Sequence, residues 1–144
     1  GIAGAMYANS AVLTSALPIA SGGTADTGTA WSTSTPTITA ETGTITTASS
    51  AARYKTIGKT CHITMTCTVT TAGTGAGQLR LALPFTAANG AANYCLAGQL
   101  ASNNNGLMCN IDNNGTVAKI LKYDGTTIIA NGNVVHVTGT YETA

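Results

Sequence analysis

Few side chains in this sequence are equipped for acid–base, metal or nucleophilic chemistry. The carboxylates are Asp26, Glu41, Asp112, Asp124 and Glu142, the histidines His62 and His136, and the cysteines Cys61, Cys67, Cys95 and Cys109. A glycosidase-type pair needs two carboxyls facing one sugar cleft. Asp112 and Asp124 instead fall in turn sequences, where Asp bends the backbone; Glu41 borders a turn and Asp26 lies in a Gly/Thr-rich stretch. No cysteine pair has the C-x-x-C spacing of zinc or redox sites. Cys61 and Cys67 share one face of one strand about 20 Å apart, too far to bridge each other. A disulfide from either to Cys95 or Cys109 is left open, and four buried, reduced thiols are the expectation. His62 stands among threonines, and His136 occupies a polar position in the last apolar segment. No G-x-S-x-G elbow occurs. Residues 72–77, Ala-Gly-Thr-Gly-Ala-Gly, lack the P-loop lysine and read as a hairpin turn. Asn114-Gly115-Thr116 matches a glycosylation pattern but reads better as a turn. We therefore assign no catalytic, cofactor-binding or metal-binding residue and expect a non-enzymatic protein without cofactors.

The elements that would position any site are strands. Residues 59–71 set the pattern: Cys61, Ile63, Met65, Cys67 and Val69 alternate with His62, Thr64, Thr66, Thr68 and Thr70. Period two puts one set on an apolar face and the other on a hydroxylated face. Burying the five apolar side chains is worth roughly 8–15 kcal/mol before chain entropy is subtracted. Shorter segments read the same way: 35–39, 43–47, 53–57, 78–83, 94–100, 107–111, 116–123, 126–129 and 133–141. A bulge or change of face is expected between Tyr54 and Ile57, which differ in parity. Segments 53–57 and 78–83 are expected to flank the 59–71 strand. Asn114-Gly115, Asp124-Gly125 and Asn131-Gly132 supply turns. The fold class is all-β, a jelly-roll-like β-sandwich of about eight to ten short antiparallel strands. Ahead of it come an N-terminal arm and linker, residues 1–30, with the knob domain at 31–144. The initial Gly fits a complete chain whose Met has been removed and equally fits an excised fragment.

The 144 residues suit one core. Only 8% are charged and the net charge is +1, while 44% are hydrophobic. Such a balance gives no electrostatic footprint for nucleic acid or an anionic membrane. No apolar run is long enough to span a bilayer, and residues 1–20 lack the basic start of a secretory leader. A surface so poor in charge suggests burial in an assembly.

From Trp31 onward the order of features resembles a β domain of tailed-bacteriophage virion proteins of the tail-fibre, minor structural or head-decoration type. The residues concerned are Trp31 with Thr35-Pro36-Thr37-Ile38-Thr39, Gly43-Thr44-Ile45-Thr46-Thr47, Arg53-Tyr54-Lys55-Thr56-Ile57-Gly58-Lys59, and the alternating strand. Gly73-Thr74-Gly75-Ala76-Gly77 and Leu83-Pro84-Phe85-Thr86-Ala87 follow, with Gly139-Thr140-Tyr141-Glu142 at the end. The resemblance covers residues 31–87 well, the tail weakly and residues 1–30 not at all. It implies a sandwich knob that forms a homotrimer. The expected function is a capsid decoration, cement or head-fibre protein, assembled in the host cytoplasm and carried on the particle exterior. Ile2, Met6, Val12, Leu13, Leu17 and Ile19 are the expected attachment residues, on the major capsid protein. His62, Thr64 and Thr66 are expected at the subunit interface. The alternative is a tail-fibre tip binding a host-surface glycan through loops 86–93, 102–106 and 124–132. A glycan-processing enzyme is the third reading, with no residue to carry it. No nucleic acid or membrane partner is expected.

Overall fold

The structure, a computed structural model, describes residues 30–144. The arm, its six apolar residues and the linker therefore lie outside the described residues. Nine strands follow in order: β1 (Ser32–Ser34), β2 (Ile38–Thr42), β3 (Thr47–Ile57), β4 (Thr60–Thr71), β5 (Ala76–Ala82), β6 (Tyr94–Leu100), β7 (Asn105–Ile111), β8 (Val117–Lys122) and β9 (Val134–Glu142). They form one antiparallel sheet ordered β1-β3-β4-β9-β6-β7-β8-β5-β2. The sheet curls into a half-barrel around a single core.

The alternation in residues 59–71 is realised in full. Cys61, Ile63, Met65, Cys67 and Val69 are each at most 1% exposed. They meet Leu79 and Leu81 of β5, Leu96 and Leu100 of β6, Cys109 and Ile111 of β7, Ala118 and Ile120 of β8, and Val135, Val137 and Tyr141 of β9 in one cluster. β4 pairs residue for residue with β3 on one side and β9 on the other, from Thr60↔Glu142 to Thr68↔Val134. The expected neighbour on the second side, residues 78–83, is displaced. As β5 it pairs with β8 and β2. Residues 72–75 are accordingly no hairpin turn but a crossing between strands that are not neighbours. The crossing packs against the β2–β3 connection: Thr74 N donates to Thr44 O, and Thr44 N donates to Thr74 Oγ1, each at 3.1 Å. Gly43 makes that approach possible. Its φ is +70°, and a Cβ there would lie 2.0 Å from Thr74 O.

Strand limits depart from the sequence reading where β-propensity is weak. β3 begins at Thr47, through Ala48-Ser49-Ser50-Ala51-Ala52, because pairing with β4 supplies what these small side chains lack. Its register break falls between Thr47 and Ala48, not between Tyr54 and Ile57. Residues 43–46 connect β2 to β3 and are not a strand. Residues 126–129 are not a strand either, although Ile128 and Ile129 are buried beneath the loop they belong to. The β7–β8 hairpin is present, but its left-handed residue is Asn114, with φ 56°, in a five-residue connection.

Residues 32–42 run as one path broken at Pro36. Its first part pairs with β3 and its second with β5, so the two margins of the sheet are consecutive in the chain. Ser50 Oγ donates to Pro36 O at 2.6 Å at the point of departure. The divergence of β2 from β3 leaves a cleft of about 480 Å³ lined by Pro36, Ile38, Ile45, Ala48 and Ser50, among others.

Candidate functional site

The connections fall at two ends of the sheet. One end carries residues 43–46, 72–75, 101–104 and 123–133, tied together by Thr74 N to Thr44 O, Ala101 N to Val134 O and Gly132 N to Val69 O. The other carries 58–59, 83–93, 112–116 and the last residues, tied by Ala87 N to Gly115 O, Ala88 N to Glu142 O and Thr143 N to Lys59 O. Loops 102–106 and 124–132 thus lie at one end and loop 86–93 at the other. The structure does not bring the three together.

The described carboxylates are equally scattered, and Glu41, Asp112 and Asp124 are engaged locally. Glu41 meets Arg80 at 3.2 Å and accepts from Gln78 N. Asp112 pairs with Lys119 and accepts from Asn93 and Asn110, each at 3.2 Å. Asp124 accepts from the Thr126 hydroxyl and then its backbone N–H, which together hold its carboxyl below the usual range. No group of three or more His, Cys, Asp or Glu could hold a metal among the described residues. The 72–77 loop offers no phosphate cradle, since Thr74 N and Gly75 N are already bonded to Thr44 O and Ala72 O.

The thiols divide. Cys61, Cys67 and Cys109 are buried and free. Desolvation raises Cys61, lifts Cys67 to about 11 and lifts Cys109 to about 12. They stay protonated and inert at neutral pH. Cys95, expected to be buried with the others, is exposed. Its position was legible: it shares parity with Gln99, opposite to Leu96 and Leu100, which are buried. Beneath the sheet, Tyr141 is 2% exposed and donates to Phe85 O at 3.1 Å. Burial pushes its phenol well above the ordinary value.

What the fold does assemble is the outer face of β3, β4, β9 and β6. Strand registry aligns Arg53, Thr64, Thr138 and Ala97 in one row, and Ala51, Thr66, His136 and Gln99 in the next. A third row holds Lys55, His62 and Thr140. Thr64 is exposed, and His62 and Thr66 are half-buried. The Thr64 and Thr138 hydroxyls meet at 3.3 Å, and Thr138 Oγ1 also reaches Ile63 O. A groove of about 430 Å³ runs over Thr64, Ala97, Gly98, Gln99, His136 and Thr138. It continues over Ala51, Arg53 and Thr66, and reaches Trp31 through Arg53 and Thr64. At that rim the Arg53 guanidinium lies 5.9 Å from the Trp31 ring centroid. Beyond Ala97, the next residue in the row is Met108 of β7, which is 51% exposed. The sequence reading named the threonines and His62 of this face. It put His136 at a polar position without joining it to this face, and missed Ala97 and Thr138, because strand order, not parity, puts β9 and β6 beside β4.

The chain matches no protein-family model, no curated protein and no solved structure.

Proposed function

We propose that this chain is a non-enzymatic structural protein of a bacteriophage virion, a capsid decoration or head-fibre knob that works as a homotrimer. The observation that carries this reading is the outer face of β3–β4–β9–β6. Across its three aligned rows Ala and Thr side chains are joined by His62, His136 and Gln99, and the permanent charges are Arg53 and Lys55, toward one margin. An exposed methionine and a half-exposed tryptophan border it. Sheet faces that must stay apart in solution carry charge. This one is fitted to lie against a neighbour, and the resemblance of residues 31–87 supplies the virion setting. In this reading residues 1–30 attach the knob to the major capsid protein, and the particle exterior is its place of work. We also read the half-barrel as a jelly-roll sandwich. Support comes from the single core shared by β3–β4–β9–β6 and β7–β8–β5–β2, and from the chain 32–42 serving both margins.

The test is a double substitution, Thr64→Lys with Thr66→Lys. It puts two ammonium groups into the face without touching the core. Sedimentation should then show a folded monomer where the parent chain is a trimer. A trimer that survives both changes refutes this face as the interface. Removal of residues 1–20 should leave the oligomer intact and abolish binding to capsids; undiminished occupancy overturns the attachment role.

Tyr123, 75% exposed beside the Asp124-Gly125 turn, favours a second reading, a fibre tip that binds host-surface glycan. Glycan-array binding lost on Tyr123→Ala is its expected signature, and an array without signal removes it.

A further inference from the structure

Four Asn-Gly steps occur in the described chain: Asn89-Gly90, Asn105-Gly106, Asn114-Gly115 and Asn131-Gly132. The step is chemically special. Gly has no Cβ to keep its backbone nitrogen away from the preceding side chain. That nitrogen, on losing its proton, can attack the Asn amide carbon. Ammonia leaves, a five-membered succinimide closes, and water opens it to Asp or to isoaspartate. The balance is one water consumed and one ammonia released, with no oxidant or other reactant. The reaction needs a free Gly N–H, an unengaged Asn side chain and a backbone able to rotate.

Three of the four steps are denied those conditions. Asn131 is held twice, since its Oδ1 accepts from Ala72 N at 2.7 Å and Gly132 N donates to Val69 O at 2.8 Å. At Asn114 the Gly115 N–H donates to Asp112 O at 2.8 Å. Asn105 and Gly106 open β7, where pairing with Leu100 and Gln99 fixes an extended backbone. That conformation turns the next nitrogen away from the Asn side-chain carbonyl. All four Asn are exposed, and Asn114 and Asn131 also lie outside any strand; Asn89 differs in that it joins no ladder and neither it nor Gly90 takes part in a hydrogen bond among the described residues.

We propose that Asn89 is a self-modifying site, where the folded protein converts an amide into a carboxylate through a Gly90 succinimide. The consequence is electrostatic. The chain has six Lys and Arg against five Asp and Glu, and one more carboxylate takes the formal net charge from +1 to zero. A surface already poor in charge then loses its residual repulsion, which favours association. Loop 86–93 is joined to the rest of its end through Ala88, whose N–H donates to Glu142 O. The new charge therefore appears at the end carrying the 58–59 and 112–116 turns.

The experiment is timed incubation of the full chain at mildly alkaline pH, with fragment-ion mass spectrometry to assign the amide-to-acid mass change residue by residue. In the folded protein Asn89 should convert first, at the rate of the same step in the urea-unfolded chain. Asn105, Asn114 and Asn131 should lag by about tenfold or more while folded, because their bonds must open first. All four should converge in urea. Asn89→Gln should keep the fold and abolish the early acidic species on ion exchange. Folded-state conversion of Asn89 as slow as that of the other three overturns the proposal. So does an acidic species that persists at full rate in Asn89→Gln.

Discussion

The two faces of β4 are made from one alternating run, yet they teach different things. On the inner face Cys61, Ile63, Met65, Cys67 and Val69 are sealed off, and each touches partners fixed by strand pairing. On the outer face Thr64 and Thr66 stand over a groove with few internal obligations beyond the Thr64–Thr138 contact. Close packing punishes any change of volume inside. Outside, the same strand is free to be shaped by what it meets.

The largest effect should come from the inner face. Ile63→Ala, at a site 1% exposed, is expected to cost about 2–5 kcal/mol in chemical denaturation. A loss under about 0.5 kcal/mol, the size of an ordinary surface substitution, would erase the distinction between the faces. Next comes alkaline pH. Burial raises Cys67 from 9.0 to about 11 and Cys109 to about 12. The folded chain keeps these protons where the unfolded chain has lost them. Their contribution is thus complete below pH 9 and is lost as pH rises through 11 and 12. Substituting both with Ala or Val should flatten the fall in stability across that window. Tyr141→Phe removes the bond to Phe85 O and should cost about 1–2 kcal/mol. Smallest is the outer face: Thr64→Lys should move the stability of the isolated subunit by no more than about 0.5 kcal/mol. A thiol reagent sharpens the same contrast. In the native protein Cys95 should label rapidly, and Cys61, Cys67 and Cys109 only on unfolding.

The sequence disclosed the strands whose side chains differ most across the pleat. β4, β6 and β9 are where alternation of Thr with aliphatic residues, or of Gln with Leu, put them. It concealed the first half of β3, because Ala48-Ser49-Ser50-Ala51-Ala52 carries no contrast between faces. It overstated residues 126–129, where Ile128 and Ile129 are buried by a loop rather than by a ladder. Neighbour relations were the least legible. Nothing in the spacing of 59–71 and 78–83 says that β9, some seventy positions away, will come between them and take the place beside β4. The candidate face suffered from this directly. Its threonines on β4 were visible, whereas Ala97, His136 and Thr138 belong to it only through registry.

The break at Pro36 has a mechanical meaning. Tension applied at Ala30 reaches the body of the protein first through β1, which grips β3 by three residue pairs, Ser32↔Tyr54 to Ser34↔Ala52. Ser50 holds the chain again at Pro36, and beyond it β2 is anchored on the opposite margin. A pull would peel β1 away first and stop at the proline. Release of residues 31–36 frees about 20 Å of extended chain at the usual rise per residue. The nine-residue β4–β9 register is not part of what yields. The first strand is in that sense a give in the line, set between a load at Ala30 and the core.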